Sequence, residues 1–369
     1  MKEHVVPKVH PFFSKERYQT ALKWKQRDSC HYLKYKEPEG NFLALFDLDS
    51  TIICTKSGKS WSAKIDDWKL MPKVEDKLKE VALSGGLLAI VTNQLESAKL
   101  PSSQLKEKIG NVVKRLDIPM YVFMSSKRDY YRKPCPGMYD LLLTEIPGKF
   151  DLESSYFVGD AAGREHDHSD TDLKWALNAN LKFFVPEQFF HSQETLPGFG
   201  MSYRPKEIFH NAPLIESDPE TELVIIVGSP ASGKSYLART TFSSYVHINQ
   251  DTLKTKTACI SSCKVALLKG KSVIVDNTNP TKETRLEYLQ LAKANGVKTR
   301  IIWLKFPKEW CRHLDMYRSI TQEKPTLPKV VFNSYTSKLQ PPSADECAVH
   351  TVEKIYCSDP DKRLLMHLV

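Results

Sequence analysis

Residues 223–242 read LVIIVGSPASGKSYLARTTF, and the succession of their chemistries sets the architecture of the second half of the chain. The apolar run from Leu223 to Val227 has the length and β-branched content of a buried strand. Gly228-Ser229-Pro230-Ala231-Ser232-Gly233-Lys234-Ser235 then fits the spacing G-x-x-x-x-G-K-[ST], and a helical segment follows directly. In that setting glycines permit the tight turn, while backbone N–H groups and the helix N-terminus cradle phosphate oxygens. Lys234 bridges β- and γ-phosphates, and Ser235 holds Mg²⁺. These eight residues are the expected ATP site.

A triphosphate cradle alone does not separate a kinase from an ATPase, so the acidic residues downstream matter. Asp251 follows the strand-like YVHI in HINQDTL, where it can take a proton from an attacking hydroxyl. Asp276 ends SVIVD, where a strand-end carboxylate acts on the Mg²⁺ shell. Either aspartate can instead cap a helix. Further helices are expected near 258–269 and 281–294, with strands at TRIIWL and VHTVEKIYC.

The first half has a different acidic signature. FLALF (42–46) leads into Asp47-Leu48-Asp49-Ser50-Thr51, which places two carboxylates at a strand's carboxyl end, the usual ligand position in open α/β sheets. One carboxylate can attack phosphorus, and its neighbour can protonate the leaving oxygen and then activate water. Their side chains share a face if the strand continues and diverge if a loop begins. Thr92 follows LLAIV, Lys133 lies in YRKP, and Asp160 follows SYFV. A hydroxyl and a cation for phosphoryl oxygens, plus a further carboxylate for Mg²⁺, are what a phosphoaspartate reaction needs.

These residues resemble the haloacid dehalogenase superfamily, and more narrowly the phosphatase half of the polynucleotide kinase 3′-phosphatase family. The narrow likeness rests on FDLDSTII, SGKS (57–60), DDWK (66–69), VTNQ, YRKP, FVGDAAGR and ALN…PEQFF (176–190). It implies Asp47 as nucleophile, Asp49 as general acid/base, and Thr92 and Lys133 on the transferring phosphoryl group. It also implies a Mg²⁺ site of Asp47, Asp49 and Asp160 with Asp172 as second candidate. Ser50 stands where the family has glycine. Lys234, Ser235, DTL and VDNTNPTKETR resemble the same family's 5′-hydroxyl kinase half. There Asp251 is the general base, Ser235 and Asp276 serve the metal, Arg285 is a candidate substrate contact, and Arg318 is a lid arginine on the ATP phosphates. Gln250 replaces a family arginine.

The expected fold class is therefore α/β, with two domains that are each a mainly parallel sheet flanked by helices. A HAD-like Rossmannoid phosphatase precedes a P-loop NTPase-type kinase. The expected division is an N-terminal extension over 1–40, which reads either as an arm on nucleic acid or as a packed leader, a phosphatase domain over 41–200, a linker over 201–220 and a kinase domain over 221–369. At 369 residues, 41% hydrophobic and 26% charged, the chain is long enough for two packed cores. The charge balance is +4 over 1–40, −2 over 41–200 and +7 over 201–369, which makes the second half the better partner for a polyanion.

The expected partner is nucleic acid, specifically DNA strand-break ends, with RNA left open. Eight scattered cysteines fit reduced thiols, and no apolar run reaches the ~20 residues of a membrane helix. A monomer of the nucleus, with the cytoplasm or mitochondria as further locations, and without a forkhead-associated module or a membrane partner is expected. Two rivals are a metabolite phosphatase fused to a small-molecule kinase, and a repair scaffold with one dead half. The run Arg164-Glu165-His166-Asp167-His168 reads as a polar loop rather than a zinc site, and Lys56, Lys59 and Lys64 are solvated lysines or flank the phosphatase cleft.

Overall fold

The computed structural model describes residues 22–60, 64–98, 100–193, 198–201, 203–210, 215–356 and 360–369. The chain divides into two compact units, residues 1–202 and 203–369. Among the described residues no helix is long and apolar enough to cross a membrane.

In the first unit the strands are β1 (Lys25–Arg27), β2 (Cys30–Tyr35), β3 (Phe42–Phe46), β4 (Ile53–Cys54), β5 (Lys69–Leu70), β6 (Gly86–Asn93), β7 (Met120–Ser125), β8 (Tyr156–Val158) and β9 (Lys182–Phe184). Helices α1 (Val74–Leu83), α2 (Ser102–Leu116), α3 (Gly137–Glu145), α4 (Thr171–Asn178) and α5 (Pro186–His191) connect or follow them. Seven strands form one sheet in the order β1-β2-β7-β6-β3-β8-β9. The run from β7 to β9 is parallel, while β1 and β2 join antiparallel.

FLALF is apolar throughout because both faces of its strand are covered. Ala44 and Phe46 enter a core with Leu105, Ile109 and Val112 of α2, and Leu43 and Leu45 enter one with Trp175 of α4. Since the chain runs from β3 to β6 on one side and returns to β8 on the other, a crevice opens at the carboxyl ends of β3, β6 and β8.

Part of the expected extension over 1–40 belongs to this sheet. Residues 1–21 lie outside the described residues, but β2 lies fully paired on β7 from Cys30↔Ser125 to Tyr35↔Met120. Its apolar side chains Cys30, Tyr32, Leu33 and Tyr35 are buried, so this stretch is sheet rather than a free arm. The aromatic and basic mixture of 25–35 reflects a strand near the sheet edge, with β1 exposed as the edge itself.

The second unit has strands β10 (Phe209–His210), β11 (Glu222–Gly228), β12 (Val246–Ile248), β13 (Val273–Val275), β14 (Lys298–Leu304), β15 (Ala348–Val352) and β16 (Ile355–Tyr356). Its helices are α6 (Lys234–Thr240), α7 (Gln250–Leu253), α8 (Lys256–Leu268), α9 (Lys282–Ala294), α10 (Lys308–Gln322) and α11 (Lys329–Lys338). Five strands form a wholly parallel sheet, β12-β13-β11-β14-β15. Val224 and Ile226 face one core, and Leu223, Ile225 and Val227 the other.

The expected linker over 201–220 is also more than a tether. Residues 203–210 belong to this unit: β10 pairs with β16, and the buried hydroxyl of Tyr203 lies 3.0 Å from Nδ1 of His313 on α10. Proline-rich composition records irregular backbone here and says nothing of whether that backbone packs.

Candidate phosphoryl-transfer sites

β3 ends at Phe46, and Asp47 stays in register because its N–H donates to Val158 O at 2.8 Å. A loop then begins: the N–H groups of Ile52 and Ile53 turn back to Leu48 O at 2.9 and 3.0 Å. Within that turn Ser50 has φ +59°, a left-handed conformation that favours glycine and costs a serine on the order of 1 kcal/mol. The carboxylates of Asp47 and Asp49 therefore diverge.

Lys133 organises the first site. Its Nζ lies 2.6 Å from Asp47 Oδ1 and 2.8 Å from Asp172 Oδ1, and donates to Val91 O at 2.8 Å. Three acceptors saturate the ammonium, whose side chain is only 2% exposed. Asn93, at the end of β6, holds the lysine backbone from both sides: its Oδ1 accepts from Lys133 N at 2.9 Å and its Nδ2 donates to Lys133 O at 3.0 Å. Thr92 is buried beside it.

Oxygens of Asp47, Asp160 and Asp172 all lie within 4.8 Å of one another. Gly159 makes this approach possible, since a Cβ there would sit 2.6 Å from Asp172 Cγ and closer still to Oδ2. Burial, only partly offset by Lys133 and reinforced by Asp172, pushes the Asp47 carboxyl up to about 7. Burial together with Asp47 and Asp172 pushes Asp160 up to about 8. Burial alone would lower Lys133, but Asp172 and Asp47 carry it above the usual lysine value. Three crowded carboxylates facing one lysine are an excess of hard oxygen donors, which suits Mg²⁺.

Asp49 stands apart from the three clustered aspartates. Lys108 Nζ donates to its Oδ1 at 2.9 Å and Gln94 Nε2 to its Oδ2, and its carboxylate lies outside the three-aspartate group. The loop starting after Phe46 turns it away. Lys108 was not singled out from sequence, and Gln94 entered only as the last residue of VTNQ, with no role of its own. The available signal was a lysine in the apolar stripe Leu105, Ile109, Val112 of α2, on which Lys108 is 8% exposed.

The run 164–168 is a loop held by Asp167, whose Oδ2 accepts from Ala162 N and Arg164 N at 3.0 and 3.1 Å while its carboxylate pairs with Arg164. Among the described residues it forms no metal-binding group. Lys56 donates to Asp66 O, and Ser57 binds the Asp67 carboxylate through both N–H and Oγ, so the SGKS and DDWK segments meet beyond the β4–β5 hairpin.

In the second unit the turn after β11 behaves as its sequence dictates. Ala231 and Gly233 take positive φ, +56° and +87°, and a Cβ on Gly228 would sit 2.7 Å from Ser232 Oγ. Lys234 folds onto the carbonyls of Gly228 and Ser229 at 3.2 and 2.7 Å, and burial lowers its pKa to about 8. Ser232 Oγ and Asp276 Oδ1 are buried without a hydrogen-bond partner. Such orphaned groups beneath a phosphate turn suit a hydrated cation and anionic ligand.

Asp276 Oδ2 receives His247 Nε2 at 2.8 Å and Asn249 Nδ2 at 3.0 Å. Asn249 Oδ1 also accepts from Asp251 N at 2.8 Å, so one asparagine fixes both aspartates. Neither aspartate caps a helix: Asn249 caps α7 and Thr281 caps α9. Residues 230–235, Asp251, Asp276 and Arg318 line one cleft of about 1830 Å³, together with Arg239, Lys254, Lys324 and Lys354. Arg318 is held by Asp315 at 2.5 Å.

Arg285 is corrected. It is fully buried, forks onto both carboxylate oxygens of Glu346 at 2.7 Å, and donates to Asn279 O and Pro280 O. Four of its five N–H donors clamp the NTNP turn and Glu346, and its full burial keeps it from a substrate.

A strand-end aspartate cluster around a lysine in one α/β unit and a phosphate cradle in the other define a two-site phosphoryl-transfer protein. Residues 42–190 match the family described as polynucleotide kinase 3 phosphatase, and 223–342 that described as AAA domain. The bifunctional polynucleotide phosphatase/kinase of Schizosaccharomyces pombe is 37% identical over 336 residues, covering 88% of this chain and 82% of its own. The putative bifunctional polynucleotide phosphatase/kinase of Acanthamoeba polyphaga mimivirus is 32% identical over 384 residues, covering 89% of each. The polynucleotide 3′-phosphatase ZDP of Arabidopsis thaliana is 33% identical over 211 residues, covering 50% of this chain and 30% of its own. The chain belongs to the bifunctional polynucleotide phosphatase/kinase family.

Proposed function

We propose that this enzyme heals broken DNA ends in the nucleus, as a monomer, by removing 3′-phosphates and phosphorylating 5′-hydroxyls. The observation that carries this reading is Lys133 Nζ between Asp47 and Asp172, at 2.6 and 2.8 Å. That ammonium neutralises the nucleophile's surroundings, holding Asp47 and Asp172 together. Asp47 attacks phosphorus while the departing 3′-oxygen takes a proton from Asp49. Asp49 then removes a proton from water, whose oxygen attacks the acyl phosphate and releases orthophosphate and free Asp47. Asp47, Asp160 and Asp172 would hold Mg²⁺, which supplies charge neutralisation.

In the second unit Asp251 takes the proton of a 5′-hydroxyl as its oxygen attacks the γ-phosphorus of ATP, and ADP leaves. Lys234 and Arg318 stabilise phosphate charge, and Ser235 and Asp276 would serve Mg²⁺. The +7 balance of residues 201–369 supports a polyanionic acceptor.

The test uses end-labelled nicked and gapped DNA duplexes, matched RNA ends and a small phosphomonoester. Asp47→Asn should abolish 3′-phosphate removal and spare 5′ labelling, with Lys234→Ala doing the reverse. Absence of both activities from the parent protein would sink the reading. A shallow salt dependence would favour a small-molecule substrate.

A further inference from the structure

Given the phosphatase reading, the general acid/base has a difficulty: Asp49 sits on a loop that has already left the sheet, beside the left-handed Ser50. The strand no longer holds it, yet it must reach a leaving oxygen and then a water. Two side chains from other elements do hold it. Gln94, just past β6, has its backbone N–H tied to Ser125 O at 2.8 Å, and its amide donates both to Asp49 Oδ2 and to Thr92 Oγ1, the latter at 3.0 Å. Lys108 reaches Asp49 Oδ1 at 2.9 Å from α2.

The lysine is an odd choice for its position. Leu105, Ile109 and Val112 surround it on the helix and are buried at 1% or below. Its stem is therefore packed, which limits where its ammonium can go. Packing an ammonium at such a site is unfavourable without a partner, and its carboxylate partner is Asp49.

We infer that Lys108 and Gln94 form a clamp that positions Asp49 for both proton transfers, while Gln94 couples it to the phosphoryl-binding hydroxyl of Thr92. Both are positioning residues, since neither touches the reacting phosphorus in this scheme. The two half-reactions separate the clamp from general structure. An aryl phosphate leaves as a stabilised phenolate without needing a proton, so Asp47 can be phosphorylated even when Asp49 is misplaced. Release of orthophosphate still needs Asp49 to take a proton from water.

The experiment is rapid-quench kinetics of Lys108→Met and Gln94→Leu with p-nitrophenyl phosphate, alongside a 3′-phosphorylated oligonucleotide. The expected result is an intact first burst of p-nitrophenol and turnover slowed by about 10–100-fold with KM little changed. The oligonucleotide, whose leaving group does need the proton, should lose its burst as well. Lys108→Arg should recover part of the turnover. Turnover within about twofold of the parent for both substitutions would overturn the clamp. So would equal loss of aryl-phosphate burst and turnover in a protein whose β3 amides keep parental exchange protection. Asp47→Asn separates the two levels: if it still gives a burst, the aspartyl-phosphate reading fails independently of the clamp.

Discussion

Replacing Lys133 by methionine should unsettle the first unit far more than the loss of one contact suggests. The side chain is nearly isosteric along its stem, so packing is largely kept and the change is electrostatic. Two carboxylates, Asp47 and Asp172, lose a buried cation at 2.6 and 2.8 Å, and Asp160 lies within the same cluster. Breaking a buried ion pair by removing one partner costs about 3–5 kcal/mol, because the other charge stays buried. A domain's whole stability is roughly 5–15 kcal/mol. At about 1.4 kcal/mol per decade, the opening equilibrium of β3 should shift by about two to four decades. Hydrogen exchange at the amides of Phe42–Phe46 reads this directly, while β11, in the other unit's sheet, serves as internal reference. The cost should shrink towards acid pH, as Asp47 and Asp160 take up protons, and adding Asp172→Asn should return much of it. A change in β3 exchange below about tenfold, or equal acceleration in β11, would refute the argument.

Further outcomes follow from the same geometry. Asp47 and Asp160 are pushed from 3.8 up to about 7 and about 8, so between those limits the folded state holds protons that the unfolded chain has lost. Their contribution is then fully present below the unfolded value and is lost as pH rises through the folded one. In EDTA the melting temperature should fall more steeply from about pH 6 to about pH 8 in the parent than in Asp160→Asn, and Mg²⁺ should stabilise most at the alkaline end. Gly159→Ala should push Asp172 off Lys133 and cut phosphatase turnover on the order of a hundredfold, with ATP-dependent labelling unchanged. Arg285→Met should destabilise the second unit by about 3–5 kcal/mol in urea titrations while leaving the KM for a 5′-hydroxyl oligonucleotide near the parent value. A selective rise in that KM would restore Arg285 as a substrate contact.

Legibility in the sequence followed the range of the interactions. GSPASGKS was readable because a phosphate turn is made by consecutive residues whose backbone conformation is local, and its positive φ values at Ala231 and Gly233 are part of that turn. Asp47 was readable because an apolar run followed by acid marks a strand end. Arg285 was misread because a motif-like setting, NTNPTKETR, does not reveal that its guanidinium is met by Glu346, distant in sequence. Residues 25–35 were left undecided because pairing with β7 depends on a strand nearly a hundred positions away.

Composition and spacing by themselves determined two α/β units, the phosphate cradle and the acidic strand ends, since each depends on periodicity or on neighbours along the chain. Only the tertiary structure decided which charges meet: Lys133 with Asp47 and Asp172, Lys108 with Asp49, Asn249 with Asp276. Electrostatic and hydrogen-bond energies depend on separation in space and on local burial, and a linear sequence fixes neither until the sheets have closed around them.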